Sequence, residues 1–209
     1  MKKFLLILAL ATFCGAATVA QAIHYLPVDP DNPNSDHWYV SVADPDVEYH
    51  RYGGDPAHGY PTHHMVRIES GVEVSHYVHL IFIDDDWSVW VKGMSADGGE
   101  NYLFVDPDFP LVMVPLYVGS VWTWSMEGFL DAEFECLAEE NVEACGTTYP
   151  TFEVRALETY PDGFVFEGHQ WYNDGFGIVK FIWGGEEFML RCPVVVEQQS
   201  WSGLKVLFR

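Results

Sequence analysis

The chain has 209 residues, of which 31 are Asp or Glu and only 10 are Lys or Arg, a formal net charge of −21. That excess of acid excludes nucleic acid and anionic membrane surfaces as partners, since both are held by positive charge. The length is enough for one domain with a full core.

Residues 1–22 read as a secretory signal peptide. Lys2 and Lys3 give a positive start, Phe4 to Ala11 an apolar run, and Ala20-Gln21-Ala22 a small-x-small cleavage site. The expected location is secreted or periplasmic, with no transmembrane segment left after cleavage. An oxidising compartment favours disulfides. Cys136 and Cys145 flank the short polar segment LAEENVEA and are expected to pair, which leaves Cys192 over.

Residues 23–36 are rich in Pro, Asp and Asn. Asp29, Asp31, Asn34 and Asp36 offer alternating oxygen ligands of the kind Ca2+ takes, although the central glycine and distal glutamate of an EF-hand loop are missing. The competing reading is a loop of Asx turns. Residues 37–42 (HWYVSV) form a first strand. Residues 43–63 show no clear period and read as a long loop carrying His50, His58, His63, His64 and Asp55. Imidazoles beside a carboxylate can bind zinc or copper, but neither HxH nor HExxH spacing occurs here.

Strand patterning then becomes regular. Runs over residues 65–69, 72–83, 87–92 and 102–105 are rich in Val, Ile, Tyr, Phe and Trp, with Gly or Asp at each break. The run 87–92 carries Trp90. The acidic turns at Asp84 to Asp86 and at Asp97 and Glu100 would collect a cation only if they met at one end of the sheet. Asp106 to Pro110 reads as a connection.

The stretch VMVPLYVGSVWTW places Trp122 and Trp124 two residues apart, on one face of a strand. A strand or hairpin over 126–136 follows, then a helical turn over 137–144. Strands resume at Thr151, separated by turns at Pro161-Asp162-Gly163, Asp174-Gly175 and Gly184-Gly185. Trp171 lies on one of them. Lys180 is expected to pair with a surface acid. The whole reads as one all-β domain over 23–209, with a first strand set at about 37–105 and a second at about 111–209. About a dozen strands in a meander point to a curled antiparallel sheet, half-barrel or barrel-like.

The segments PLYVGSVWTW, GTTYPTFEVRALE and WYNDGFGIVKF, within residues 111–183, resemble an arrangement found in secreted bacterial proteins of unknown function. These are similar to the lipoprotein-carrier group, and the resemblance implies a curled half-barrel sheet. This chain departs from it by adding cysteines beside the hydrophilic hairpin and by lacking helices to plug the barrel.

The expected function is a secreted, non-catalytic β module that binds a hydrophobic or extended ligand, or another envelope protein. Trp90, Trp122, Trp124 and Trp171 are the candidate contacts, chosen for their aromatic surface. A calcium-stabilised structural envelope protein is the first alternative, and a glycan hydrolase the second. Neither GxSxG nor HExxH occurs, so no catalytic residue is assigned.

Overall fold

The structure is a computed structural model that describes Leu26 and residues 35–192. Twelve strands follow one another in chain order: β1 Asp36–Ser41, β2 Val47–Ala57, β3 Tyr60–Glu69, β4 Val72–Ile83, β5 Val89–Ser95 and β6 Leu103–Val112, then β7 Val121–Met126, β8 Leu130–Ala144, β9 Thr147–Thr159, β10 Val165–Asn173, β11 Gly177–Trp183 and β12 Glu186–Leu190. They form a single antiparallel sheet in the order β6-β5-β4-β3-β2-β1-β12-β11-β10-β9-β8-β7. The two chain-end strands therefore pair with each other, Tyr39 opposite Leu190. The free edges, β6 and β7, come from the middle of the sequence. The sheet curls until these edges meet, giving a nearly closed barrel.

Alternation along each strand decides what fills it. Tyr39, Tyr49, Ile81, Val91, Phe109, Phe134, Val154, Phe181 and Phe188 are buried together in the main core. Their polar neighbours turn outward and form ladders across strands, such as Arg155 between Glu133 and Glu135. Lys180 pairs with Glu187 at 3.2 Å, the surface acid expected for it.

The sequence reading is corrected at four places. Residues 43–63 are mostly β2 and β3, a long hairpin turning at His58-Gly59, both with positive φ. Its glycines and histidines hide the period, and the tip folds back so that His58 touches the rings of Tyr102 and Phe104. Asp106 to Pro110 belong to β6. Prolines suit an edge strand, where a missing N–H costs no ladder bond. Residues 137–144 continue β8 and form no helical turn.

The fourth correction concerns the cysteines. Cys136 and Cys145 are both free. Cys136 lies inside β8 and Cys145 just past its end, so extended chain holds them on the order of 25–30 Å apart. A disulfide needs Cα atoms within about 7 Å. The acidic turns are also kept apart. Asp84 to Asp86 precede β5 and Asp97 and Glu100 follow it, at opposite ends of a strand about 20 Å long.

The meeting of β6 and β7 has its own chemistry. No backbone ladder joins them. Instead Trp122 Nε1 donates to the carbonyl oxygen of Pro110 at 3.0 Å, and Trp124 Nε1 to that of Pro107 at 2.9 Å. Trp122 stacks on Phe134, with ring centroids 5.3 Å apart, while Phe109 meets Trp124 edge-on at 5.0 Å. The i, i+2 spacing of the tryptophans places both indoles on the same side, where they act as a two-toothed clasp.

Candidate functional site

The turns after β1, β3, β5, β7, β9 and β11 all lie at one end of the barrel, called here the mouth. Inside that end is a cavity of about 350 Å³. Its wall is mostly apolar and aromatic, with Met65, Val91, Met94, Leu111, Phe129, Phe134, Phe166 and Phe181 among its residues. The inward-facing positions of β2 to β6 and β8 to β11 supply nearly all of these side chains. Small residues leave the space open: Ala156 faces Gly168 across β9 and β10, and Phe134 across β8 and β9. Tyr77, Tyr160 and Trp183 stand at the opening.

Besides the tyrosines at the opening, Tyr49, Arg51, His79, Glu158 and Gln170 interrupt this wall with polar or charged groups. Arg51 is 8 % exposed. Its Nε has no hydrogen-bond partner. The guanidinium lies 5.7 Å from the centre of the Phe181 ring, a cation–π contact that offsets part of its desolvation. Burial pushes its pKa down, and nearby Tyr39, Tyr172 and Tyr49 act in the other direction. A guanidinium keeps its charge even so.

His79 is held at a pKa of about 4, first by burial and then by the Arg51 charge, so its ring is neutral at pH 7. Its Nδ1 is buried without a partner. Across the strand pair, His63 is held well below the usual histidine range, first by burial and then by the Arg51 charge, and also has an unpartnered Nδ1. Glu158, near the mouth, accepts a hydrogen bond from Tyr160 Oη at 2.9 Å. Burial raises its pKa, and the Tyr160 bond opposes that shift.

No family model, curated protein or solved structure matches this chain. The arrangement of its own residues is therefore the basis for any functional reading.

The candidate tryptophans divide between two places. Trp122 and Trp124 come together at the clasp between β6 and β7. Trp90 points outward, its Nε1 donating to Asp84 Oδ2 at 2.8 Å. Trp171 shares a face with Glu153 and Lys180, not with the cavity-lining Gln170. It donates to Glu140, and Lys180 Nζ sits 4.3 Å from its ring centroid. The cavity is lined by Phe, Tyr and Met from strands where those residues alternate with polar ones. That inward alternation was the available signal for the site. Arg51 gave none, because it lies in the stretch with no visible period.

Of the proposed calcium ligands, Asp29, Asp31 and Asn34 lie outside the described residues. Asp36 opens β1 and pairs with His50 Nε2 at 2.8 Å. Among the described residues no group of three or more His, Cys, Asp or Glu side chains is placed to hold a metal ion.

A second, more polar cleft of about 450 Å³ lies outside the barrel, between the β2–β3 hairpin and the loop after β5. Along the hairpin side runs a ladder of rings: Trp38 stacks on His50, His50 packs on Tyr52, and Tyr52 stacks on His64. His64 Nδ1 and His76 Nε2 are 2.9 Å apart, a hydrogen bond that requires one of the two nitrogens to be unprotonated. Burial and then His76 hold His64 at a pKa of about 4. A side chain at Gly54 would collide with the His64 ring, its Cβ only 2.3 Å from Nε2.

Proposed function

We propose that the protein is a secreted or periplasmic, non-catalytic β-barrel that holds a hydrophobic ligand in the cavity at its mouth. The observation that carries this reading is the 350 Å³ apolar cavity inside the barrel. Its volume falls within the range of about 300–1,000 Å³ usual for small-molecule sites, toward the small end. The rim supports the same reading. Val42, Val72, Phe164, Val165 and Trp183 stand exposed at the turns around the mouth. Glycan hydrolysis generally requires two carboxylates across the scissile bond, whereas Glu158 is the one acid of the cavity wall among the described residues.

Ala156→Phe tests the proposal. The new ring would fill the space between Phe134 and Gly168 at a stability cost of about 1–3 kcal/mol. Binding of a medium-chain alcohol, followed by calorimetry, is expected to be lost in a variant that still melts cooperatively. Unchanged binding would refute the cavity as the site.

A further inference from the structure

The chain is strongly acidic, yet the most deeply buried of its described lysines and arginines has no acid. The ion pairs of the described arginines and lysines use Arg67, Lys92, Arg155, Lys180 and Arg191. Arg51 alone takes no carboxylate. A buried charge without a partner is costly, and folds usually neutralise it. The groups around Arg51 do not: burial raises the phenols of Tyr39 and Tyr172, and His63 and His79 are neutral imidazoles. Glu158 shares the cavity but bonds to Tyr160 near the mouth.

Arg51 is also well placed to meet something entering from outside. It sits four residues into β2 from the mouth turn, so a straight chain reaching it would run along the apolar wall. His79, a neutral imidazole, lines the same cavity. Gln170 Oε1 accepts from Tyr172 Oη at 3.0 Å, which leaves the Gln170 amide nitrogen as a further donor. A planar guanidinium fork matches a carboxylate in shape. Among the described residues no second lysine or arginine lines the cavity, so one negative charge is the complement.

Building on the cavity proposed above, we infer that its ligand is a single-chain amphiphile with a carboxylate head, the head bound at Arg51 and the chain lying toward the mouth. Charge and shape then complete each other: the ligand supplies the counter-ion that the barrel lacks.

The test compares decanoate with decan-1-ol, chains of equal length that differ in head charge, by calorimetry at pH 7.5. The wild-type protein is expected to bind decanoate at least about tenfold more tightly, as a charge-assisted hydrogen bond provides. In Arg51→Met that preference is expected to vanish. Equal binding of acid and alcohol by the wild-type protein overturns the inference and leaves the apolar cavity standing, and this comparison needs no variant to fold. A preference that survives in Arg51→Met also overturns it. If neither compound binds, the cavity reading fails, and the head-group inference fails with it.

Discussion

Replacing the clasp tryptophans by phenylalanine tests how the barrel is closed. Trp124→Phe removes the indole N–H that reaches Pro107 but keeps an aromatic ring against Phe109. A neutral hydrogen bond contributes about 0.5–1.5 kcal/mol net, and the abandoned prolyl carbonyl adds to the loss where water cannot reach it. Trp124 is only 6 % exposed, so the smaller ring also forfeits packing worth about 1 kcal/mol. The expected total is about 2–3 kcal/mol. For a chain of this size that is a drop of about 4–12 °C in Tm. Trp122→Phe keeps the stack on Phe134 and loses the bond to Pro110, with a smaller expected cost of about 1–2 kcal/mol. The two changes act on one seam, so the double variant is expected to deviate from additivity. Urea melts give the energies, and hydrogen exchange gives the location. Exchange is expected to rise first in β6 and β7, ahead of β1 and β12, which share a ladder. A Trp124→Phe variant within about 0.5 kcal/mol of wild type would refute the clasp, as would protection lost evenly around the barrel.

Acid is expected to destabilise the fold well above the range where carboxylates titrate. His37 and His79 have folded pKa values of about 4, and His63 lies well below 6.5, all chiefly through burial. The unfolded chain therefore binds protons first, and stability falls as pH drops from about 6.5 toward 4, by at most about 1.4 kcal/mol per pH unit for each histidine. Glu158, with its raised pKa, opposes this over part of the window. Urea midpoints that stay level between pH 7 and pH 5 would contradict the buried, neutral state of these rings. Thiol labelling of the native reduced protein, read by peptide mass, is expected to modify exposed Cys192 first and to spare buried Cys136 until unfolding. Cys145, with its thiol pushed up to about 12 by burial and by the adjoining Cys192, is expected to react slowly. A cross-linked Cys136–Cys145 peptide in oxidised protein would show that β8 is wrongly placed.

The sheet was legible in the sequence where each strand alternates and each break carries a turn residue, as over 72–83 and 151–190. It was hidden where another constraint set the composition. In β2 Gly54 makes room for the His64 ring of β3, and in sequence such a glycine reads as loop chemistry. In β6 the prolines belong to an edge, and in sequence an edge strand with proline looks like a connection. The acids of β8 alternate with inward Ala132, Phe134 and Cys136, but its second half, AEENVEA, has a helical composition overridden by pairing with β9. The site was less visible than the fold. Tryptophan richness drew attention to four residues, two at the seam and two on the outer face. The cavity depends instead on Ala156 and Gly168, small side chains that signal nothing until the strands are paired. Arg51 acquires its meaning only from the absence of a carboxylate nearby, and no linear pattern records that.

The pairing of β1 with β12 also bears on how the barrel forms. Every other ladder joins neighbours in sequence, so two six-stranded meanders, β1–β6 and β7–β12, can zip locally by successive hairpins. Joining them requires Tyr39 to reach Ile178, 139 positions away, where its hydroxyl donates to the carbonyl at 2.6 Å. Closing so long a loop is entropically unfavourable until both surfaces exist. The halves are thus expected to mature as separate sheets, and the enclosed space to appear only in the last step. A chain caught before that step would already have nearly all of its strand content and no interior at all.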